Sequence, residues 1–124
     1  MKGKNIFGKP LEICNCKKIT GWFRDGTCST DITDLGQHTI CCVMNDQFLR
    51  YSKAQGNDLN TPIYESNFPG LKAGDKWCLC ASRWLQAYED GMAPKVILES
   101  TELSTLKIID LEILIKYKFE IPIT

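Results

Sequence analysis

Residues 39–46 read TICCVMND and join a short apolar run to two residues that favour the start of a helix. Thr39 to Met44 has the length and the β-branched, apolar content of a buried strand. Asn45 or Asp46 can then cap a helix, because a short polar side chain accepts a hydrogen bond from a backbone N–H group in the first turn. Gly56 is a natural residue for the end of that helix. This stretch therefore predicts a strand followed by a helix.

The chain before this strand is rich in turn-forming residues and should consist of loops with short strands. Gly8-Lys9-Pro10, Asp25-Gly26 and Asp34-Leu35-Gly36 interrupt it, and such residues favour turns. Asp25-Gly26 lies between Trp22-Phe23-Arg24 and Thr27-Cys28-Ser29. Because Asp-Gly can supply the positive φ angles of a type I′ turn, the segment predicts a tight hairpin.

Residues 76–89 allow two interpretations. Apolar residues recur there at steps of three and four, which predicts a helix from Lys76 to Glu89 with Asp75 as its N-cap and Gly91 after its end. In the alternative, Lys76 to Ala81 is a strand. The sequence pattern leaves both interpretations open, because short apolar runs fit either element.

The remaining segments predict an α+β fold. Lys95–Glu99 and Thr105–Ile109 are rich in strand-forming residues and predict an antiparallel pair, and Leu111–Lys116 predicts a short helix. No linker interrupts the apolar runs between Ile40 and Ile121. We expect one small domain over residues 1–124, with short antiparallel strands packed against two to three helices and a turn-rich N-terminal part.

Charge and cysteine content limit the function classes. Lysine plus arginine and aspartate plus glutamate number 15 each, so no net field favours nucleic acid or an anionic membrane, and neither is an expected partner. The N-terminal region lacks the apolar segment of a signal peptide, and no stretch is long enough to cross a bilayer. The seven cysteines are an odd number. We therefore expect a cytoplasmic protein with reduced thiols rather than a secreted disulfide framework.

The stretch at residues 74–84 holds the candidate catalytic residues. If it is helical, Cys78 lies in the first turn, where the backbone N–H groups stabilise a thiolate. Cys78 and Cys80 are then candidate nucleophiles, with His38, the only histidine, as a base and Asp75 as the group that orients it. The alternative is that these cysteines only fill a core.

A second set of residues could bind zinc. Cys14, Cys28, His38 and Cys41 supply the nitrogen and sulfur ligands that zinc prefers, yet Cys-x-Cys and Cys-Cys spacings depart from the usual Cys-x2–4-Cys pairs. Zinc is therefore a possible cofactor only if the fold brings distant loops together. The alternative is a turn-rich region with buried thiols.

Several polar residues could bind a ligand. Asn57 and Asp58 lie on a loop after a predicted helix end, where binding residues concentrate, although they could also form turns, and Asp58 could orient His38. Arg24 and Arg83 could bind an anion or could pair with local carboxylates. Trp77 is a further candidate for ligand binding. Trp22, Trp77 or Trp84 could instead anchor a protein partner, although aromatic residues at helical spacing usually face a core.

Longer motifs cover most of the chain. They read TGWFRDGxC at 20–28, DxGxHTxC at 34–41, FLxxSKxxGNDLxTP at 48–62, FPGLKxGDxWCLCxxRW at 68–84 and GxAP at 91–94. Together they resemble a family of short bacterial proteins, the domain of unknown function 2237, from about residue 5 to about residue 111. The tail from Lys116 to Thr124 departs from the family pattern.

The resemblance identifies the positions that are characteristic of the family, but it implies no reaction. The matching positions are Cys14, Cys28, His38, Cys41, Asn57, Asp58, Asp75, Trp77, Cys78, Cys80, Arg83 and Trp84. Cys16 and Cys42 stand where the family pattern varies. The first hypothesis is a binding or structural module with buried or zinc-ligating thiols. The alternative is a thiol-dependent enzyme or redox protein that uses Cys78 or Cys80 with His38.

Overall fold

The computed structural model describes residues 3–120, so Ile121 and the last residues of the tail lie outside the described part. Its regular elements are β1 (His38–Val43), α1 (Asp46–Ala54), β2 (Lys76–Cys80), α2 (Ala81–Glu89), β3 (Lys95–Val96) and α3 (Leu111–Lys116). The strands form one antiparallel sheet in the order β2-β1-β3. Three helices accompany this sheet, which confirms the predicted α+β class.

The β1–α1 unit follows the local sequence signals. The side chain of Asn45 accepts a hydrogen bond from the backbone N–H of Phe48 at 2.7 Å, as an N-cap residue does. Gly56 has a φ of +92°, a conformation that glycine adopts without steric cost, and it lies two residues beyond the end of the helix. The predicted strand and helix are both confirmed.

Residues 76–89 form a strand and then a helix. A single helix from Lys76 with Asp75 as its cap is therefore wrong. The register of β2 pairs Cys78 with Cys41 and Lys76 with Val43, so a strand far earlier in the chain supplies backbone partners that the local pattern cannot reveal. The helix α2 begins only after Cys80, and Gly91 follows its end as predicted.

The two sides of the β1–β2 pair pack against different buried clusters. Ile40 and Leu79 belong to the main hydrophobic core, which also contains the buried Trp84 of α2. Because successive side chains of a strand point to opposite faces, Cys41 and Cys78 lie on the other face. There they form a separate buried cluster with Cys14 and Cys28.

The N-terminal segment is rich in turns, as expected, and it covers the outer edge of β2. The side-chain amide of Asn15 donates to the carbonyl of Lys76 at 3.0 Å, and the backbone N–H of Cys78 donates to Oγ1 of Thr20 at 2.9 Å. These bonds satisfy backbone groups at an edge that would otherwise be open.

The predicted hairpin around Asp25-Gly26 is wrong. Residues 22–27 form turns and bends, and residues 28 and 29 that follow are irregular rather than a strand. The carbonyl of Gly26 accepts hydrogen bonds from the backbone N–H groups of Cys14 and Asn15, at 2.7 and 3.1 Å. The segment thus bonds to an earlier part of the chain, and these groups do not form a two-stranded ladder.

The predicted pairing of Lys95–Glu99 with Thr105–Ile109 is also wrong. β3 pairs with β1 through Val96 and Cys42, and residues 98–100 and 103–107 form 3-10 turns. The buried hydroxyl of Thr105 bonds to that of Thr39 at 2.8 Å, which fixes this segment against β1. The predicted helix at Leu111–Lys116 is confirmed as α3. Within residues 3–120, no helix has the length and apolar character that a membrane crossing requires.

Candidate functional site

Two neighbouring cavities lie beside β2, with volumes of about 290 and 240 Å³. They share five lining residues, namely His38, Asn57, Leu59, Trp77 and Cys78. We call the pair the His38 cleft. The first compartment adds aromatic side chains and Arg24, and the second adds Cys80 and Arg83.

The imidazole of His38 is fixed by a buried carboxylate. Oδ1 of Asp34 lies 2.7 Å from Nδ1 of His38, and Oδ2 accepts a hydrogen bond from the His38 backbone N–H at 2.8 Å. The side chain of Asp34 has no exposed surface, whereas that of His38 is 37% exposed. A carboxylate that holds Nδ1 leaves Nε2 as the ring nitrogen available to a ligand. This arrangement can donate, accept or remove a proton at a defined position.

Two neighbours restrict the ring further. The indole of Trp22 stacks parallel to the imidazole, with ring centroids 6.0 Å apart and an interplanar angle of 8°. The indole nitrogen of Trp22 donates to Oγ1 of Thr33 at 3.0 Å. Gly36 lies beside the ring, and a Cβ at this position would be 2.8 Å from Cε1 of His38. The ring is therefore held in place by packing as well as by Asp34.

Aromatic side chains and a guanidinium group form one wall of the first compartment. Arg24 places its guanidinium carbon 5.5 Å from the ring centroid of Trp77, a cation–π distance. Phe68 packs edge-on against Trp77, with ring centroids 5.3 Å apart. Because Trp77 is only 6% exposed and has Arg24 over its ring, the ring on which a planar ligand can stack is the exposed indole of Trp22 in the same compartment.

Asp58 lines the cleft but uses its carboxylate within its own loop. It accepts hydrogen bonds from the hydroxyl and backbone N–H of Thr61 and from the backbone N–H of Asn60. The hydroxyl of Thr61 and these backbone groups lower the pKa of Asp58 below its usual value. Asp58 therefore shapes the loop that presents Asn57. Within residues 3–120, no hydrogen bond engages the side-chain amide of Asn57.

Cys80 and Arg83 lie in the second compartment at the start of α2. Cys80 is a free, partly exposed thiol at the N-cap position, and its sulfur lies 3.2 Å from the hydroxyl of Ser82. It is opposite His38 in the strand register. The N-terminal end of a helix favours negative charge, so this position suits an anion.

Cys78 is placed differently from the sequence-based interpretation. It lies in the middle of β2 and forms a disulfide with Cys28, and a second disulfide joins Cys14 to Cys41. Four of the seven cysteines are thus paired, in contrast to the expectation of reduced thiols. The loops that they close span 27 and 50 residues, and disulfides over such loops contribute about 3–4 kcal/mol each.

The same four cysteines bring sulfur atoms together. The sulfurs of Cys14, Cys28 and Cys78 all lie within 4.8 Å of one another. Cys41 is joined to this group through its disulfide with Cys14, and His38 is not one of its members. We call the four residues the sulfur cluster. Of the sequence-predicted zinc ligands, three lie in it, and Cys78 takes the place of His38.

Asp75 is not among the residues that line the two compartments. Its carboxylate binds Nζ of Lys18 at 2.6 Å and the backbone N–H of Lys72 at 2.8 Å. Burial alone would raise the pKa of Asp75, but the hydrogen bonds from Lys18 and Lys72 and the charges of both lysines outweigh it, and the pKa is lowered. Asp75 thus fixes the N-terminal loop, and Asp34 holds the orienting position beside His38.

Sequence reasoning missed Asp34 and Trp22 as parts of this site. The one indication of an Asp–His pair in the sequence was that Asp34 lies four residues before the only histidine. It was ambiguous, because aspartate before glycine is also a common turn residue. Trp22 carried no local signal, because its contact with His38 forms across a folded loop.

Comparison with known protein families identifies the family of this chain. A search of the curated proteins found no protein that matches the chain. A family model, described as an uncharacterised protein conserved in bacteria, matches residues 4–118. These residues include both compartments of the His38 cleft and the sulfur cluster. The chain therefore belongs to this bacterial family, the domain of unknown function 2237.

Proposed function

We propose that this protein is a binding module for a small organic anion that carries a planar group, and that the His38 cleft is its binding site. The observation that carries the proposal is the arrangement of Arg24, His38 and Arg83 along one cleft, beside the ring of Trp77. The two guanidinium groups supply positive charge, and charge-assisted hydrogen bonds to an anion are stronger than neutral ones.

The charges of the cleft favour an anion over a cation. Asp58 is the one carboxylate among the described lining residues, and its loop occupies both of its oxygens. No ion pair within residues 3–120 neutralises Arg24 or Arg83. The free side-chain amide of Asn57 lies in both compartments, where it can bind a polar group of the same ligand.

The size of the cleft favours a metabolite. The first compartment encloses about 290 Å³, at the lower end of the range of pockets that bind small molecules. The exposed indole of Trp22 in its wall offers a stacking surface for a flat ring. A peptide or polynucleotide would need a longer groove.

Matched ligand pairs test the proposal. Aromatic carboxylates such as indole-3-acetate and benzoate would be titrated into ¹⁵N-labelled protein beside their neutral amides. We expect the acids to shift the indole N–H signals of Trp22 and Trp77 and to bind at least about tenfold more tightly than the amides, since a tenfold difference needs only about 1.4 kcal/mol.

Variants at the two arginines identify the site. Arg24→Gln and Arg83→Gln should each weaken binding of the acids, whereas Arg50→Gln, at an exposed position of α1, removes the same charge away from the cleft and should leave binding unchanged. Equal binding of acids and amides, or equal losses in all three variants, would contradict the proposal.

A second candidate function is thiol chemistry at Cys80, with His38 as the base. It is favoured by the position of Cys80 opposite His38 and by the Asp34 carboxylate behind the imidazole, an order of groups found in enzymes with activated nucleophiles. The test is the rate of alkylation of Cys80 relative to Cys16, an exposed free cysteine of the same chain. Faster reaction at Cys80, slowed at least about tenfold by His38→Ala, would support this function. Equal rates at the two thiols would exclude it.

A further inference from the structure

The sulfur cluster connects three separate parts of the chain. Cys14 and Cys28 lie in the turn-rich segment, Cys41 lies in β1 and Cys78 lies in β2. Cys41 and Cys78 are directly opposite each other in the strand register, so their side chains leave the same face of the sheet. Each nevertheless bonds to a cysteine of the N-terminal segment. Two disulfides are thereby brought side by side.

The four cysteines of the cluster are shielded from solvent, although Cys78 also borders the His38 cleft. The four cysteines are at most 3% exposed, and they form a group separate from the main core, packed against Ile97. A tetrahedral zinc site with four cysteines has this closed character when its role is structural. Its sulfurs lie about 3.8 Å apart, a distance that follows from Zn–S bonds of about 2.3 Å. The three sulfurs within 4.8 Å of one another already come close to this spacing.

We propose that the sulfur cluster is a redox-dependent zinc site: two disulfides in the oxidised protein, and one Zn²⁺ held by Cys14, Cys28, Cys41 and Cys78 in the reduced protein. The ligand set differs from the one that the sequence suggested. His38 is held by Asp34 in the cleft, and Cys78 supplies the fourth ligand from β2. In either form, Cys14 and Cys28 of the N-terminal segment are linked to Cys41 of β1 and Cys78 of β2.

The conversion of the two disulfides into four thiols is a four-electron reduction. Each disulfide accepts two electrons and two protons from a dithiol reductant, which is itself oxidised to a disulfide. The four thiols then bind Zn²⁺ as thiolates and release four protons, because the thiolate is the metal ligand. Oxidation by a disulfide or a peroxide reverses the process and expels the metal. In a reducing compartment, the zinc form would therefore replace the disulfides.

Reduction with and without zinc tests the proposal. The protein would be reduced anaerobically with a phosphine, which reduces the disulfides directly, and desalted into buffer with or without zinc chloride. Native mass spectrometry then counts bound zinc. Denaturing mass spectrometry after iodoacetamide counts protected thiols, and ¹⁵N spectra report folding. We expect one zinc per chain, four protected thiols within the cluster and native dispersion of the spectrum only in the presence of zinc.

Variants distinguish zinc binding at the sulfur cluster from zinc binding at other side chains. A Cys16→Ser/Cys42→Ala/Cys80→Ser variant keeps all four proposed ligands and should still bind one zinc, as should His38→Ala. Cys28→Ser should lower the zinc affinity at least about a hundredfold, since it removes one of four ligands.

If Cys28→Ser fails to fold, cobalt binding to the wild-type chain gives a second measurement, because four thiolates around Co²⁺ produce intense visible absorption. The proposal is overturned if the reduced wild type takes up no zinc, if zinc fails to restore the folded spectrum, or if zinc is lost in the triple variant or in His38→Ala.

Discussion

The carboxylate of Asp34 is fully buried and lies 2.7 Å from Nδ1 of His38, four residues farther along the chain. It also accepts hydrogen bonds from the His38 backbone N–H and from the hydroxyl of Thr30. One side chain thus fixes both the backbone and the ring of the only histidine. The orientation of the ring in the cleft depends on this loop, and on Trp22 and Gly36 beside it.

Asp34→Asn should destabilise the protein and free the His38 ring. An amide can preserve only part of the hydrogen bonding of a buried carboxylate, so we expect the free energy of unfolding to fall by about 1–3 kcal/mol. Urea denaturation measures this loss, and the ¹⁵N shifts of the imidazole report the changed state of Nδ1. Asp110→Asn is the control, because Asp110 is exposed and its side chain makes no capping hydrogen bond. A loss no larger than that of the control would contradict the buried role of Asp34.

Gly36→Ala should displace the imidazole with little strain in the backbone. Gly36 has no positive φ, and its added Cβ would lie 2.8 Å from Cε1 of His38, so the ring must move. We expect a shift of the Hε1 resonance of His38 and weaker binding in the cleft. In a His38→Ala background, the same substitution should have no effect on binding, because the clash is gone. An effect of equal size in both backgrounds would show that Gly36 acts on another part of the loop.

Lys18→Gln should lower stability in a way that depends on pH. Because the pKa of Asp75 is lowered in the folded protein from its usual 3.8, its contribution is complete above the unfolded pKa and is lost as the pH falls through the folded pKa. We expect the variant to be less stable by about 1 kcal/mol near neutral pH, and the difference to vanish well below pH 4. Lys17→Gln, at an exposed neighbouring position, is the control. A difference that persists at low pH would assign the effect to the bond from Lys18 to the Gly70 carbonyl.

Alkylation of the native protein should distinguish its three free cysteines. Cys16 is exposed and Cys80 is partly exposed, whereas Cys42 is fully buried. Burial raises the pKa of the Cys42 thiol well above its usual value, which keeps it protonated and unreactive. Peptide mass spectrometry should find Cys16 and Cys80 modified, and Cys42 modified only after denaturation. Modification of Cys42 at the rate of Cys16 would mean that this part of the sheet opens in the native state.

The elements that depend on local chemistry could be predicted from residue identity alone. Asn45 can cap a helix and Gly56 can follow one because of their own side chains, whatever lies elsewhere in the fold. The strand at residues 38–43, the helices α1 and α3, the turn-rich N-terminal part and the α+β class were accordingly predictable. The sequence also pointed to residues that line the cleft, among them Arg24, Asn57 and Arg83, since guanidinium groups bind anions and polar residues on loops such as Asn57 are frequent binding groups.

Which distant groups meet depends on the folding of the whole chain. Residues 76–80 form a strand because β1 offers a ladder to pair with, and this pairing outweighs a local pattern that also suits a helix. The connectivity of the cysteines cannot be read from their spacing, and the structure joins Cys14 to Cys41 and Cys28 to Cys78. Contacts between residues far apart in the chain depend on how loops pack over the sheet. For that reason the stacking of Trp22 on His38, and the convergence of four sulfurs beneath β1 and β2, became visible only in the folded molecule.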